Sequence, residues 1–359
     1  ELFERHGQSP WLDNLKRDWI QSGELHNWVQ KGVRGLTSNP SIFEKAITDS
    51  EAYDEQFGSL IKDGFSVEQA YWQLVHRDIS DALQILKPIY EASNGVDGYV
   101  SVEVDPRLAR DTAATIDAAR TLDDQISRPN LYIKIPGTRE GLPAITKMIS
   151  EGRSINVTLL FSIQRYAEVI DAYMSGLEMV DGDLSHISSV ASFFISRTET
   201  EVDSRLDEID SEPALKLKGK TAVAQGQLAY RLFIDEFNSD RWLALKARGA
   251  QLQRPLWAST STKNPQYPDT MYVDELIGPD TVNTLPYNTL AAFIDHGTLS
   301  RSVDSSFDDA EKILQTVESL GIDLQEVAVK LEDEGVKAFE TSFENLLTTL
   351  QKKAESMIF

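Results

Sequence analysis

The run Leu131-Tyr132-Ile133-Lys134-Ile135-Pro136-Gly137 sets a lysine between two isoleucines with a turn immediately after it. Side chains alternate along a strand, so a lysine enclosed in this way loses contact with water. Burial disfavours the ammonium form and lowers the pKa, and the resulting free amine can attack a carbonyl and form a Schiff base. The plain alternative is a lysine at a strand end whose head reaches solvent over its apolar stem. The run alone does not choose between the two.

Other segments supply matching groups. Trp11-Leu12-Asp13 ends a strand-like run in a carboxylate, and Ser101-Val102-Glu103-Val104-Asp105-Pro106 places Glu103 in an alternating apolar run before a proline stop. Asn156 and Thr158 share one parity of Ile155-Asn156-Val157-Thr158. Ser192 and Phe194 share one parity of the run from Ser188, with Arg197 just beyond it, and Asn39 closes the polar turn Gly35-Leu36-Thr37-Ser38-Asn39-Pro40. Each has a structural account of its own: Asp13 as a helix cap, Glu103 or Asn39 as a turn former, Arg197 as a solvated surface group. Taken together, they put an amine, carboxylates, amides and a guanidinium around one mouth. That set suits reversible carbon–carbon bond chemistry.

The elements that must hold these groups alternate throughout the chain. Strand-like runs are predicted at Pro10–Leu15, Val33–Ser38, Tyr99–Val104, Leu131–Ile135, Ile155–Leu160, Ser188–Phe194, Pro255–Ser259 and Val282–Leu285. Amphipathic stretches lie between them, among them Val67–Tyr90, Arg165–Leu177 and Thr221–Arg248. Eight strands separated by helices fit a closed (β/α)8 barrel better than an open doubly wound sheet, and catalytic groups of such barrels sit where strands end. The tail from Ser306 to Met357 is predicted as further helices, packing on the barrel and broken near Gly321 and Gly335. With no Pro/Ser-rich linker or repeat, a single domain is expected over residues 1–359.

Composition narrows the chemistry. The 359 residues carry 35 Lys+Arg against 57 Asp+Glu, a formal charge of −22, and no cysteine, so thiolate metal sites, disulfides and a cysteine nucleophile are excluded. A surface this acidic, with no basic run, argues against nucleic acid as a partner. No apolar stretch approaches the ~18 residues that cross a bilayer, and the first residues do not resemble a secretory leader. The expectation is a cytoplasmic enzyme, or a plastid stromal one if a leader has been removed. The five histidines, His6, His26, His76, His186 and His296, are scattered, so neither a metal nor another cofactor is expected. Gly219-Lys220-Thr221 ends like a phosphate loop, but the required earlier glycine is Ala214. Asn156-Val157-Thr158 matches a glycosylation sequon only inside a predicted interior strand.

Five segments carry a family resemblance: Gly35–Phe43 (GLTSNPSIF), Val102–Leu108 (VEVDPRL), Tyr132–Thr138 (YIKIPGT), Ile155–Ser162 (INVTLLFS) and Ala191–Arg197 (ASFFISR). In barrel order they resemble the transaldolase family, in the longer form found in bacteria and plastids. The resemblance implies a metal-free Schiff-base mechanism that moves a dihydroxyacetone unit between sugar phosphates in the nonoxidative pentose phosphate pathway. It makes Lys134 the nucleophile, Glu103 with Thr158 the proton carriers through a water, and Asp13 the group that takes and returns the hydroxyl proton. It further implies that Asn39 and Asn156 hold the hydroxyls of the three-carbon unit, that Ser192 and Arg197 bind phosphate, and that Phe194 walls the cavity. Compact family members carry a second arginine after the seventh strand, whereas this chain has Lys263, a flexible point charge proposed as a phosphate ligand. A Schiff-base aldolase that releases free dihydroxyacetone, and a catalytically silent sugar-phosphate binding barrel, are the competing readings. The partners expected are small sugar phosphates, with the chain a monomer or homodimer.

Overall fold

In the computed structural model, which describes residues 1–357, eight parallel strands close into a barrel in sequence order. They are β1 (Gln8–Asp13), β2 (Leu36–Thr37), β3 (Val100–Glu103), β4 (Leu131–Pro136), β5 (Ile155–Leu160), β6 (Ser189–Phe194), β7 (Gln253–Ala258) and β8 (Thr281–Leu285). The ring closes where β1 pairs with β8, Trp11 lying opposite Thr284. This is the expected (β/α)8 (TIM) barrel. Most strand residues are buried, as a parallel sheet covered by helices requires.

Ten helices matter to the site and its support: α1 (Pro40–Thr48), α2 (Val67–Ala92), α3 (Thr112–Ile126), α4 (Gly141–Ser150), α5 (Ile163–Glu178), α6 (Ser196–Ile209), α7 (Thr221–Glu236), α8 (Asp240–Lys246), α9 (Phe307–Ser319) and α10 (Leu324–Met357). The starts are written in the sequence. Ser66 accepts from the Gln69 backbone N–H while Gln69 answers to the Ser66 N–H, a capping box that opens α2. Ala70, Tyr71, Leu74, Val75 and Ile79 then recur on the face of α2 that is buried.

Several predicted boundaries move. β1 spans Gln8–Asp13 rather than residues 10–15, because the polar Gln8 and Ser9 pair with Thr281 and Val282 of β8. β2 is only two residues long, since at Gly35 the Trp11 indole lies where a side chain would stand; an added Cβ would fall 2.3 Å from Trp11 Cε2. The expected helical stretch Thr221–Arg248 is two helices, α7 and α8, because Ser239 accepts from the Trp242 N–H and begins a new one. The tail breaks at Gly321, in a left-handed turn with φ 92°, but not at Gly335. There α10 runs straight through, and its buried stripe continues over Leu331, Gly335, Val336, Phe339 and Phe343.

At the end of the barrel opposite the strand C-termini, Asp97 accepts from Ser9 Oγ, Trp11 Nε1, Arg34 and Arg254 within 2.7–3.1 Å. Burial alone would raise this carboxyl, but the two guanidiniums outweigh it and hold it below the usual carboxylate range. Removing one partner of such a buried pair costs roughly 3–5 kcal/mol, so this plug fixes one end of the cylinder and leaves the other to the chemistry.

Candidate active site

Pairing register assembles the reacting groups. Glu103 lies opposite Lys134, Lys134 opposite Asn156, and Asp13 opposite Thr37. Because inward-facing positions of neighbouring strands meet in layers, an amine, two carboxylates and an amide converge near the C-terminal mouth. There a cavity of about 170 Å³ is lined by Asp13, Asn39, Lys134, Thr158, Ser192, Phe194, Arg197 and Lys263 among others. Eight of the ten predicted residues thus share one cavity, and Glu103 and Asn156 lie directly behind it.

Lys134 is only 4% exposed. Its Nζ donates to the Ser38 carbonyl at 3.2 Å and stands 3.5 Å from Glu103 Oε2. Burial pushes Glu103 up to about 7 in spite of the attraction of Lys134. Neither carboxyl oxygen of Glu103 has a hydrogen-bond partner among the described residues, and the same holds for the buried Thr158 hydroxyl. These two groups therefore keep their full hydrogen-bonding capacity for something other than the fold.

Asp13 is part-buried, and burial raises its carboxyl above the usual range, while Lys134, the Thr37 hydrogen bond, Arg197 and Lys263 pull the other way. Thr37 Oγ1 donates to Asp13 Oδ1 at 2.7 Å and sits 2.6 Å from the Thr284 hydroxyl, so the first, second and last strands orient this carboxylate together. Asn39 does two jobs at once: Oδ1 accepts from the Ile42 N–H and caps α1, and the residue also lines the cavity. Its turn-former reading and its site reading are both satisfied.

Asn156 Oδ1 accepts from Ser192 Oγ at 2.8 Å, and its amide donates to Ser101 Oγ at 3.0 Å. Ser192 therefore spends its single proton on Asn156. Arg197, in the first turn of α6, lies over the rings of Phe194 at 5.4 Å and Phe339 at 6.0 Å, and burial draws it below the ordinary guanidinium range. Lys263 donates to Ser261 Oγ at 2.7 Å in the loop after β7; partial burial and the neighbouring Arg197 and Lys45 lower its pKa.

Sequence reasoning missed Thr37, Ser41, Ser261, Thr284 and Phe339 in the wall of this cavity. Thr284 had a readable signal, a polar residue between Asn283 and Leu285 at a strand end. Phe339 had none, for it arrives from the far C-terminal helix. The Gly219-Lys220-Thr221 segment is occupied by the protein's own carboxyl: Glu199 accepts from the Thr221 and Ala222 N–H groups at 3.1 Å each, and burial pushes it up to about 8.

Comparison with known proteins identifies the family. The family model described as Transaldolase/Fructose-6-phosphate aldolase matches residues 10–350. A transaldolase of Thermobifida fusca is 51% identical over 346 residues, covering 95% of this chain and 94% of the relative. One of Frankia alni is 47% identical, covering 97% and 95%, and one of Mycobacterium tuberculosis is 48% identical, covering 95% and 93%. With its barrel, its buried lysine and this likeness over nearly its whole length, the chain belongs to the transaldolase/fructose-6-phosphate aldolase family.

Proposed function

We propose that this enzyme reversibly transfers a dihydroxyacetone unit from sedoheptulose 7-phosphate or fructose 6-phosphate to an aldose phosphate, glyceraldehyde 3-phosphate or erythrose 4-phosphate, through a Schiff base on Lys134. The observation that carries this reading is the buried Lys134 amine, 3.5 Å from an otherwise unpartnered Glu103, in a cavity shared with Asp13 and Arg197. The Lys134 nitrogen adds to the C2 carbonyl of the ketose. Glu103 and Thr158, acting through a water, move the protons that turn the carbinolamine into a protonated imine with loss of water. Asp13 takes the C4 hydroxyl proton as the C3–C4 bond breaks, and the bonding pair passes into the imine to give an enamine. When the acceptor aldehyde binds, the enamine carbon attacks it and Asp13 returns the proton to the new hydroxyl. Hydrolysis of the imine frees Lys134.

Asn39 and Asn156 hold the hydroxyls of the three-carbon unit, Phe194 walls the cavity, and Arg197 with Lys263 binds phosphate. Ser192, its proton committed to Asn156, acts by steering that amide more than by meeting phosphate. All these groups come from one chain, which supports a monomer or a homodimer of independent sites. No helix among the described residues is long and apolar enough to cross a membrane. A cytoplasmic place of work is part of the same proposal.

Borohydride trapping tests the chemistry: incubate with fructose 6-phosphate, reduce, digest and map the adduct. Mass on the peptide containing Lys134 is expected, and a clean peptide under conditions that trap other imines contradicts the scheme. Whether product appears without added erythrose 4-phosphate separates transfer from an aldolase that releases dihydroxyacetone.

Two further outcomes follow from the charged groups. A carboxyl held near 7 is mostly protonated below that pH and cannot accept the proton that imine formation releases. The kcat/KM of the free enzyme should therefore fall as pH drops through about 7, and Glu103→Gln should flatten that limb; a limb that survives in the variant belongs to another group. Lys263→Ala should raise KM for phosphorylated sugars about 2- to 5-fold, the scale of a partly exposed point charge. An unchanged KM removes Lys263 from the phosphate site.

A further inference from the structure

Helix α10 crosses the barrel mouth, and one residue of it reaches the phosphate-binding cation. Phe339, 4% exposed, lines the same cavity as Arg197 and Lys263. Its ring and that of Phe194 both lie on the Arg197 guanidinium, at 6.0 and 5.4 Å. Among the described residues, Arg197 has no carboxylate within ion-pair distance and no hydrogen bond; Asp13, Glu334 and Glu103 act on it only at longer range. Its orientation is left to two aromatic faces.

The helix is built to come this close. At Gly335, one turn before Phe339, an added Cβ would stand 2.9 Å from Leu159 Cδ2 and 3.3 Å from Arg197 Nη1. A side chain here would push on the ends of Leu159 and Arg197, so the glycine lets the helix pass close to both without disturbing them. One turn further, the Ser342 and Ser41 hydroxyls, 2.7 Å apart, fasten α10 to α1, the helix capped by Asn39.

A guanidinium held against ring faces rather than by a carboxylate keeps its N–H groups free for a planar, bidentate grip on an anion. A freely rotating arginine would pay the ordering cost at each binding event. We propose that Phe339 is a positioning residue for Arg197 and thereby sets the preference of this enzyme for phosphorylated over unphosphorylated ketoses. This rests on the assignment of Arg197 as phosphate ligand.

The test uses the full chain and three variants, Phe339→Leu, Gly335→Ala and Arg197→Ala, with inorganic phosphate as a competitive inhibitor and fructose 6-phosphate and fructose as paired substrates. Phe339→Leu keeps apolar bulk and removes the π face. It should raise both KM for fructose 6-phosphate and Ki for inorganic phosphate by roughly 3- to 30-fold, with the loss falling on KM rather than kcat. The ratio of kcat/KM for fructose 6-phosphate to that for fructose should fall by the same factor, and Phe339→Tyr should restore it. Gly335→Ala, whose methyl would press directly on the Leu159 side chain and the Arg197 guanidinium, should lower the same ratio and keeps the test decisive if the leucine variant folds poorly. If Arg197→Ala weakens phosphate inhibition but neither α10 variant does, the positioning role is overturned and the phosphate reading stands. An Arg197→Ala enzyme with unaltered phosphate Ki overturns the phosphate reading itself. Equal losses on both sugars in Phe339→Leu would mean general damage to the mouth and would also overturn the proposal.

Discussion

Lys134→Met is expected to lower turnover by at least ~10⁴-fold while leaving the barrel folded. Methionine fills nearly the volume of the lysine stem in a place that is already almost free of water, so packing loses little. The partner left behind is Glu103, and a buried carboxyl held near 7 with a lysine beside it needs only to keep a proton once that lysine is gone. The fold therefore tolerates the change through neutralisation rather than through a stranded charge. Catalysis has no such substitute: the other lysine of the cavity, Lys263, comes from the loop after β7 and hydrogen-bonds Ser261, whereas among the described residues only Lys134 pairs with Glu103. Initial rates in a coupled assay measure the loss, and unfolding curves check the fold. A borohydride adduct that persists on a different lysine of the variant would contradict the assignment.

Asp13→Ala should divide the reaction in two. In the proposed scheme imine formation uses Lys134, Glu103 and Thr158, so the variant should still trap fructose 6-phosphate under borohydride. Cleavage needs a base at the C4 hydroxyl, and its loss should slow that step by about 10²- to 10⁴-fold, the range of a positioned general base. Thr37 and Thr284 remain in place, but hydroxyl groups cannot take up a proton at neutral pH, so they offer no rescue. Rapid-quench measurement of aldose phosphate release gives the cleavage rate. Failure of the Asp13→Ala enzyme to trap ketose would show that the carboxylate belongs to an earlier step.

Much of this arrangement is legible in the chain. A strand leaves a period-two record, so Glu103, Lys134, Asn156 and Thr158 could be assigned to one inward face before any pairing was known, and the ladder then set them side by side. Turn chemistry marked Asn39, whose proline at the next position opens a helix. What stayed hidden depends on contacts between distant segments. Gly335 has the local signature of a helix stop, and only its closeness to Leu159 and Arg197 shows why it is there. Gln8 and Ser9 look like a turn until β8 pairs with them. Asp97 follows a glycine-containing bend and gives no sign locally that two arginines will meet on it. Nothing local in the chain shows that the Ser192 hydroxyl will donate to the Asn156 amide oxygen on the neighbouring strand.

The pairing of the first strand with the last also has a consequence for a copy of this protein still on the ribosome. Asp13 leaves the exit tunnel long before the Thr284 hydroxyl beside Thr37, which emerges only after the first seven strands, and Phe339 comes later still. Such long-range closure is slow and cannot precede the synthesis of β8. A nascent chain can carry its lysine exposed to cellular sugars while the later strands are still being made, but it has no assembled machinery with which to break their bonds until β8 has closed the ring.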